Sequence, residues 1–149
     1  MIYLQHTSNG SDNTLFLKIL NDGSNKSKWI YLRINTGIDD LDKSAHFYLD
    51  NSLLLNTKFV LNVEWCSEDN IDIKDIIDGT KLTKKELKKN AINYAKENKF
   101  FSSIMSNEIL VKNNIDLHKY LVSFNKYVAK KDENILNYLK DYYPNVKLI

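Results

Sequence analysis

Apolar and polar residues alternate in two short stretches of the first third of the chain. In Thr14–Leu20, "TLFLKIL", one side carries Leu15, Leu17 and Ile19 and the other Thr14, Phe16, Lys18 and Leu20. In Lys28–Ile34, "KWIYLRI", Ile30, Leu32 and Ile34 oppose Trp29, Tyr31 and Arg33. A period of two built from branched and aromatic residues predicts strands. Asp22-Gly23 between them offers the positive φ that a turn needs, so the pattern predicts a hairpin with a loop longer than two residues. Lys58–Trp65, "KFVLNVEW", predicts a further strand with Phe59, Leu61, Val63 and Trp65 on one face and Lys58, Asn62 and Glu64 on the other. Ile2–Gln5 predicts a short strand. "HFYLDNSLLL", from His46, fits a strand and turn or the end of a helix begun at Asp39.

Beyond residue 70 the period lengthens. Ile73, Ile76 and Ile77 suit a helical turn closed by Gly79. Thr83 stands three residues before Glu86, the spacing of a capping box, and predicts a helix with Leu87, Ala91, Tyr94, Asn98 and Phe101 inward. From Asp116 to Lys130, Leu117, Tyr120, Leu121, Phe124, Tyr127 and Val128 form one continuous apolar stripe, which predicts a single long helix. Asp132 is placed to cap a third helix with Ile135, Leu136, Leu139 and Tyr142 inward, ended by Pro144. "NVKLI" adds a last strand or hangs loose. The expectation is one α+β domain over residues 1–149: a mostly antiparallel sheet in the N-terminal half, then about three helices.

Composition adds bounds. A chain of 149 residues with 43% hydrophobic and 27% charged residues has enough apolar material for a core without disulfides or metal. No window approaches the roughly 18 consecutive apolar residues of a membrane helix. "MIYLQHTSNG" lacks the basic start and apolar run of a signal peptide. Cys66 is the lone cysteine, which fits a reducing compartment and a cytoplasmic protein, or the host-cell cytoplasm if the gene is viral. Abundant Lys, Asn and Ile, with Arg33 the one arginine, point to a low-GC genome, of the kind many bacteria, phages and viruses carry.

Charge divides unevenly. Residues 1–78 carry 7 Lys/Arg against 12 Asp/Glu, and residues 79–149 carry 14 Lys against 7 Asp/Glu. On a helical wheel Lys81, Lys84, Lys85, Lys88, Lys89, Lys96 and Lys99 fall within an arc of about 140°. Such a face suits a polyanion, though a solvated helix in a lysine-rich chain looks the same, and arginine, the better phosphate and guanine reader, is absent from it. The acidic run just before it, Glu68, Asp69, Asp72, Asp75 and Asp78, offers a third reading in which acids and lysines pair within the chain or across a dimer.

Candidate chemistry is thin. Asp40-x-Asp42-x-Ser44 resembles the opening of a calcium loop, but Ala45 replaces the turn glycine and Asn51 the bidentate glutamate. His6, His46 and His118 are scattered, with no second ligand at metal spacing. Cys66 gains a catalytic role only if the fold brings a base to it; a packing thiol is its default. No phosphate loop or nucleophile elbow is present, so no catalytic residue, metal or cofactor is assigned. Trp29, Tyr31 and Arg33 share one strand face and form a binding platform if that face is uncovered. The expected function is therefore a small intracellular binding factor without catalytic activity. Its partner is another protein or a second copy of the chain, met through Trp29, Tyr31 and Arg33. The alternative is a nucleic-acid-binding protein using Lys81, Lys84, Lys85, Lys88, Lys89 and Lys96. No membrane association is expected.

Overall fold

The computed structural model describes residues 3–8, 13–22, 28–35, 44–62, 68–93, 108–112 and 114–149. In chain order the elements are β1 (Tyr3–Ser8), α1 (Asn13–Asp22), β2 (Trp29–Asn35), β3 (Ala45–Asp50), a 3-10 segment (Asn51–Asn56) and β4 (Lys58–Asn62). Two 3-10 turns (Glu68–Asn70 and Ile73–Asp75), the short β5 (Ile77–Asp78) and a third turn (Gly79–Lys81) lead into α2 (Lys84–Leu87). That helix runs on as a π-turn, Lys88–Ile92. Then come β6 (Glu108–Lys112), α3 (Leu117–Tyr120), β7 (Leu121–Phe124), α4 (Lys126–Lys131), α5 (Ile135–Tyr142) and β8 (Lys147–Leu148).

The strands form one eight-stranded sheet in the order β5-β4-β6-β2-β1-β3-β7-β8. Every pairing is antiparallel except β7 with β8, which makes the sheet mixed. The α+β class stands, but its division into a strand half and a helix half does not. Helix α1 precedes most of the sheet, and β6 of the second half lies between β4 and β2 of the first.

Three predicted elements are corrected. Residues 14–20 are helical: Leu17 and Leu20 are buried one turn apart while Leu15 is 54% exposed. A seven-residue apolar run satisfies either period, and tertiary contacts decide. The predicted hairpin therefore does not form, and β2 pairs instead with β1 and β6. The long helix over 116–130 is broken at Leu121–Phe124, which lies beside β3 as β7. The apolar stripe is buried as expected at Leu117, Tyr120, Leu121, Phe124 and Val128. Its middle is spent on backbone pairing because β3 would otherwise expose an unpaired edge. The Ile73–Ile77 turn is a 3-10 turn and a short strand. Gly79 closes no helix there; its N–H donates to the Thr57 carbonyl at 2.9 Å.

Other expectations are met. Thr83 and Glu86 form both bonds of the capping box, each at 3.2 Å. In α5 Ile135 and Leu139 are inward, but Leu136 and Tyr142 are half or more exposed and Tyr143 is buried instead. Residues 147–148 add to β7 as a strand, and the Ile149 N–H donates to the Phe124 carbonyl at 2.9 Å.

Alternation along the strands sets two faces. The first carries Leu4, Ile30, Leu32, Ile34, Phe47, Leu49, Phe59, Ile109 and Val111, packed with Leu17, Leu87, Leu117, Val128, Ile135 and Leu139 from the helices. The second carries Trp29, Tyr31, Arg33, Gln5, His46, Tyr48, Leu110, Lys112, Lys58 and Val60. Among the described residues no helix is long and apolar enough to cross a membrane.

Candidate functional site

Register builds the site. On the second face Trp29 of β2 lies opposite Lys112 of β6. The pairing Phe59↔Val111 brings Lys58 of β4 alongside Lys112, and Lys58 lies opposite Asp78 of β5. Four adjacent strands thus present a transverse row, Asp78–Lys58–Lys112–Trp29. Ile73, Ile76 and Lys81, from the segment that leads into α2, complete an open cavity of about 320 Å³ over that row.

The floor is fixed. Trp29 is 9% exposed and packs in a small core with Val60 and Leu110, covered by Ile71 and Ile76. The wall is fixed by Gly79, whose Cα hydrogen points at backbone: a Cβ there would stand 1.5 Å from the Leu54 carbonyl oxygen and 2.8 Å from that of Thr57. Only glycine permits that approach. The Asp78 carboxylate accepts the Thr80 hydroxyl at 2.6 Å and the Thr80 N–H at 3.1 Å. The Thr80 hydroxyl bond first, then the backbone bond and the ammonium groups of Lys81 and Lys58, hold its carboxyl below the ordinary carboxylate range against local desolvation. Asp78 is thus committed to its own turn, and the cleft keeps a surplus of positive charge. Ile73, at the lip, is 84% exposed.

The structure brings Trp29 and Lys81, drawn from two separate candidate sets, into one cleft. Tyr31 and Arg33 follow Trp29 along β2, toward the middle of the sheet; Tyr31 is 37% exposed and Arg33 half-buried. Lys84, Lys85, Lys88 and Lys89 are exposed on α2 and its π-turn. Among the residues whose burial is described there, Leu87 and Ile92 point inward, and the Asn93 N–H reaches the Lys88 carbonyl across a π-turn; Tyr94, Asn98 and Phe101 of the predicted helix lie outside the described residues. Lys96 and Cys66 lie outside the described residues. Among the described residues the acidic run does not quench the ridge: Asp72 pairs with Lys74 at 3.5 Å, and Lys58, Lys81, Lys84, Lys85, Lys88, Lys89 and Lys112 make no ion pair.

The histidines serve the fold. His46 is buried in β3, its Nδ1 3.2 Å from Gln5 Nε2 and 3.0 Å from Thr7 Oγ1, and Asn35 Nδ2 donates to Gln5 Oε1 at 3.2 Å. His118 stacks on Tyr143 with ring centroids 4.5 Å apart. His6 stacks on Phe16, also at 4.5 Å, and its Nδ1–H donates to the Tyr31 carbonyl at 3.1 Å; burial, and secondarily the nearby His46, push it down to about 4. Ala45–Asp50, which would be the second half of a calcium loop, is strand β3. No group of three or more His, Cys, Asp or Glu that could hold a metal occurs among the described residues.

Lys112 belongs to no candidate set that the sequence offers, and Asp78 enters only as the last member of the acidic run. Lys58 was visible on the polar side of its strand, but nothing in a linear pattern aligns it with Lys112, 54 positions later. Comparison of the chain with models of known protein families, with curated proteins and with solved structures finds no match to any of them.

Proposed function

We propose that this protein is a binding factor that acts without catalysis, docking an acidic surface of a partner protein against the second face of its sheet, around Tyr31 and Arg33. The observation that carries this reading is the placement of a 37% exposed tyrosine on an inner strand of the sheet, on the face opposite the packed helices. Tyrosine and arginine are enriched at interface centres because they pair broad contact area with directed hydrogen bonds. Lys112 and Lys58, which lie on the same face beside Trp29 and make no ion pair among the described residues, favour an acidic partner by steering its approach. The lone Cys66 fits action inside a reducing cell, and the lysine- and asparagine-rich composition fits a low-GC bacterial, phage or viral gene.

The test is a photo-crosslinking residue in place of Tyr31, expressed in the source cells. One discrete adduct, lost when Arg33 is also changed to Glu, is the expected result. A diffuse or absent adduct, together with a monomer at every concentration in sedimentation velocity, rejects the reading and its self-association form alike.

A second reading rests on Lys81, Lys84, Lys85, Lys88 and Lys89, which are all exposed and make no ion pair among the described residues. They suit a nucleic-acid backbone. This reading requires duplex or single-strand affinity that falls steeply with salt and falls again in Lys85→Glu/Lys88→Glu. Absence of binding at low salt removes it.

A further inference from the structure

We propose that the cleft over the Asp78–Lys58–Lys112–Trp29 row is a binding site for a small phosphate monoester carrying a compact apolar group. The site lies beyond the docking surface at Tyr31 and takes a different class of ligand.

The argument starts from a cost. Like charges side by side on neighbouring strands destabilise a sheet. Lys58 and Lys112 are such a pair, on β4 and β6, and Lys81 lines the same cleft. Among the described residues Asp78 is the one carboxylate lining the cleft; Thr80 bonds it twice, and its single charge is shared between Lys81 and Lys58. Three ammonium groups against one carboxylate leave the cavity two positive charges in excess, and a phosphate monoester at neutral pH brings about two negative ones. Lysine acts as a mobile point charge and suits a tetrahedral dianion; a site for a planar carboxylate would favour the arginine fork.

Apolar residues define the rest of the ligand. Trp29, Ile73 and Ile76 line the same cavity, and Ile73 leaves most of its surface in water at the lip. An apolar body seated there covers Ile73 while the phosphate sits among the lysines. At about 320 Å³ the cavity is at the small end of ligand pockets, which run from about 300 to 1,000 Å³. It fits a group of the size of a phenyl phosphate or a small nucleotide, and it is too small to enclose a polymer.

The experiment is titration calorimetry of the full chain with phenyl phosphate, inorganic phosphate and benzoate. Phenyl phosphate is expected to bind at least about tenfold more tightly than either of the others, since it alone satisfies both halves of the cleft; tenfold corresponds to about 1.4 kcal/mol. Lys58→Gln and Lys112→Gln are each expected to weaken it about tenfold, and Lys88→Gln, on the π-turn outside the cleft, to leave it unchanged. All three lysines are exposed, so the variants fold, and thermal melts verify this. Each of these results overturns the proposal: no phenyl phosphate binding at about 1 mM ligand; equal affinity for phenyl and inorganic phosphate; or equal weakening by Lys88→Gln, which would mark diffuse surface attraction. Tyr31 and Arg33 are unaltered throughout, so failure here leaves the docking reading to its own test. A phosphotyrosyl peptide as a further titrant separates a free ester from a modified partner: the proposal holds if it binds up to about tenfold better than phenyl phosphate or more weakly, and fails if it binds more than about tenfold better.

Discussion

Thr14 and Asp132 are 118 residues apart in the chain, yet one carboxylate oxygen of Asp132 accepts both the Thr14 N–H at 2.9 Å and the Thr14 hydroxyl at 2.7 Å. The other oxygen accepts the Asn134 N–H at 3.0 Å. A buried carboxylate thus satisfies the first turn of α1 and the approach to α5 together, where helix N-termini leave N–H groups without partners and favour negative charge. Asp132→Ala is expected to cost about 3 kcal/mol, the loss of a cap plus charge-assisted bonds. Thr14→Ala, which keeps the backbone bond, is expected to cost about 1 kcal/mol. Urea unfolding monitored by circular dichroism measures both, and equal costs would show that the carboxylate does not hold the two helices jointly.

That contact also marks where sequence reading stops. The alternation in "TLFLKIL" is real, but Leu17 and Leu20, on opposite sides of a strand, share the buried side of a helix, whose first turn is bonded to a carboxylate 118 positions away. In Leu117–Val128 the burial of Leu117, Tyr120, Leu121, Phe124 and Val128 is legible, while Tyr127 is only half-buried, and the backbone conformation is not legible because β3 supplies an edge that no local pattern contains. Two local signals hold: Thr83 and Glu86 cap α2, and Trp29, Tyr31 and Arg33 share a strand face. The cleft was half visible. Trp29 and Lys81 stood among the candidates, but Lys58 and Lys112 meet only through strand order, which periodicity does not encode.

Two residues of one face of β2 are expected to respond unequally to truncation. Trp29 is buried against Val60, Leu110, Ile71 and Ile76, so Trp29→Ala opens a cavity and costs roughly 3 kcal/mol. Tyr31 is 37% exposed, and Tyr31→Ala is expected to cost about 1 kcal/mol or less. Denaturant midpoints compare the two. A Tyr31→Ala loss as large as that of Trp29→Ala would mean that this tyrosine is a packing residue and would weaken its place in a docking surface.

Gly79→Ala is expected to destabilise the fold by about 3 kcal/mol or more. The new methyl would meet the Leu54 carbonyl at 1.5 Å, and the obstacle is backbone rather than a flexible side chain. Relief requires the Asp78–Lys81 wall to move away from the 3-10 segment Asn51–Asn56, at an overpacking cost that runs to about 1–3 kcal/mol when neighbours can shift and more when they cannot. Thermal melts give the stability, and the same variant tests the cleft independently: displacement of Lys81 should weaken phenyl phosphate binding in whatever fraction stays folded.

Acid should loosen the sheet through His6. Its ring lies against Phe16 of α1, and burial lowers it from 6.5 to about 4. Between those two values the unfolded chain binds a proton that the folded chain refuses, so stability falls as pH drops from about 6.5 toward about 4. One such group contributes a slope of at most about 1.4 kcal/mol per pH unit, and the partial exposure of this ring keeps it below that ceiling. His6→Phe keeps the stacking surface and removes the titration. Unfolding free energies at several pH values across the window should show a flatter dependence in the variant than in the wild type. Parallel curves would assign the acid sensitivity to other groups and leave His6 protonated in the folded chain.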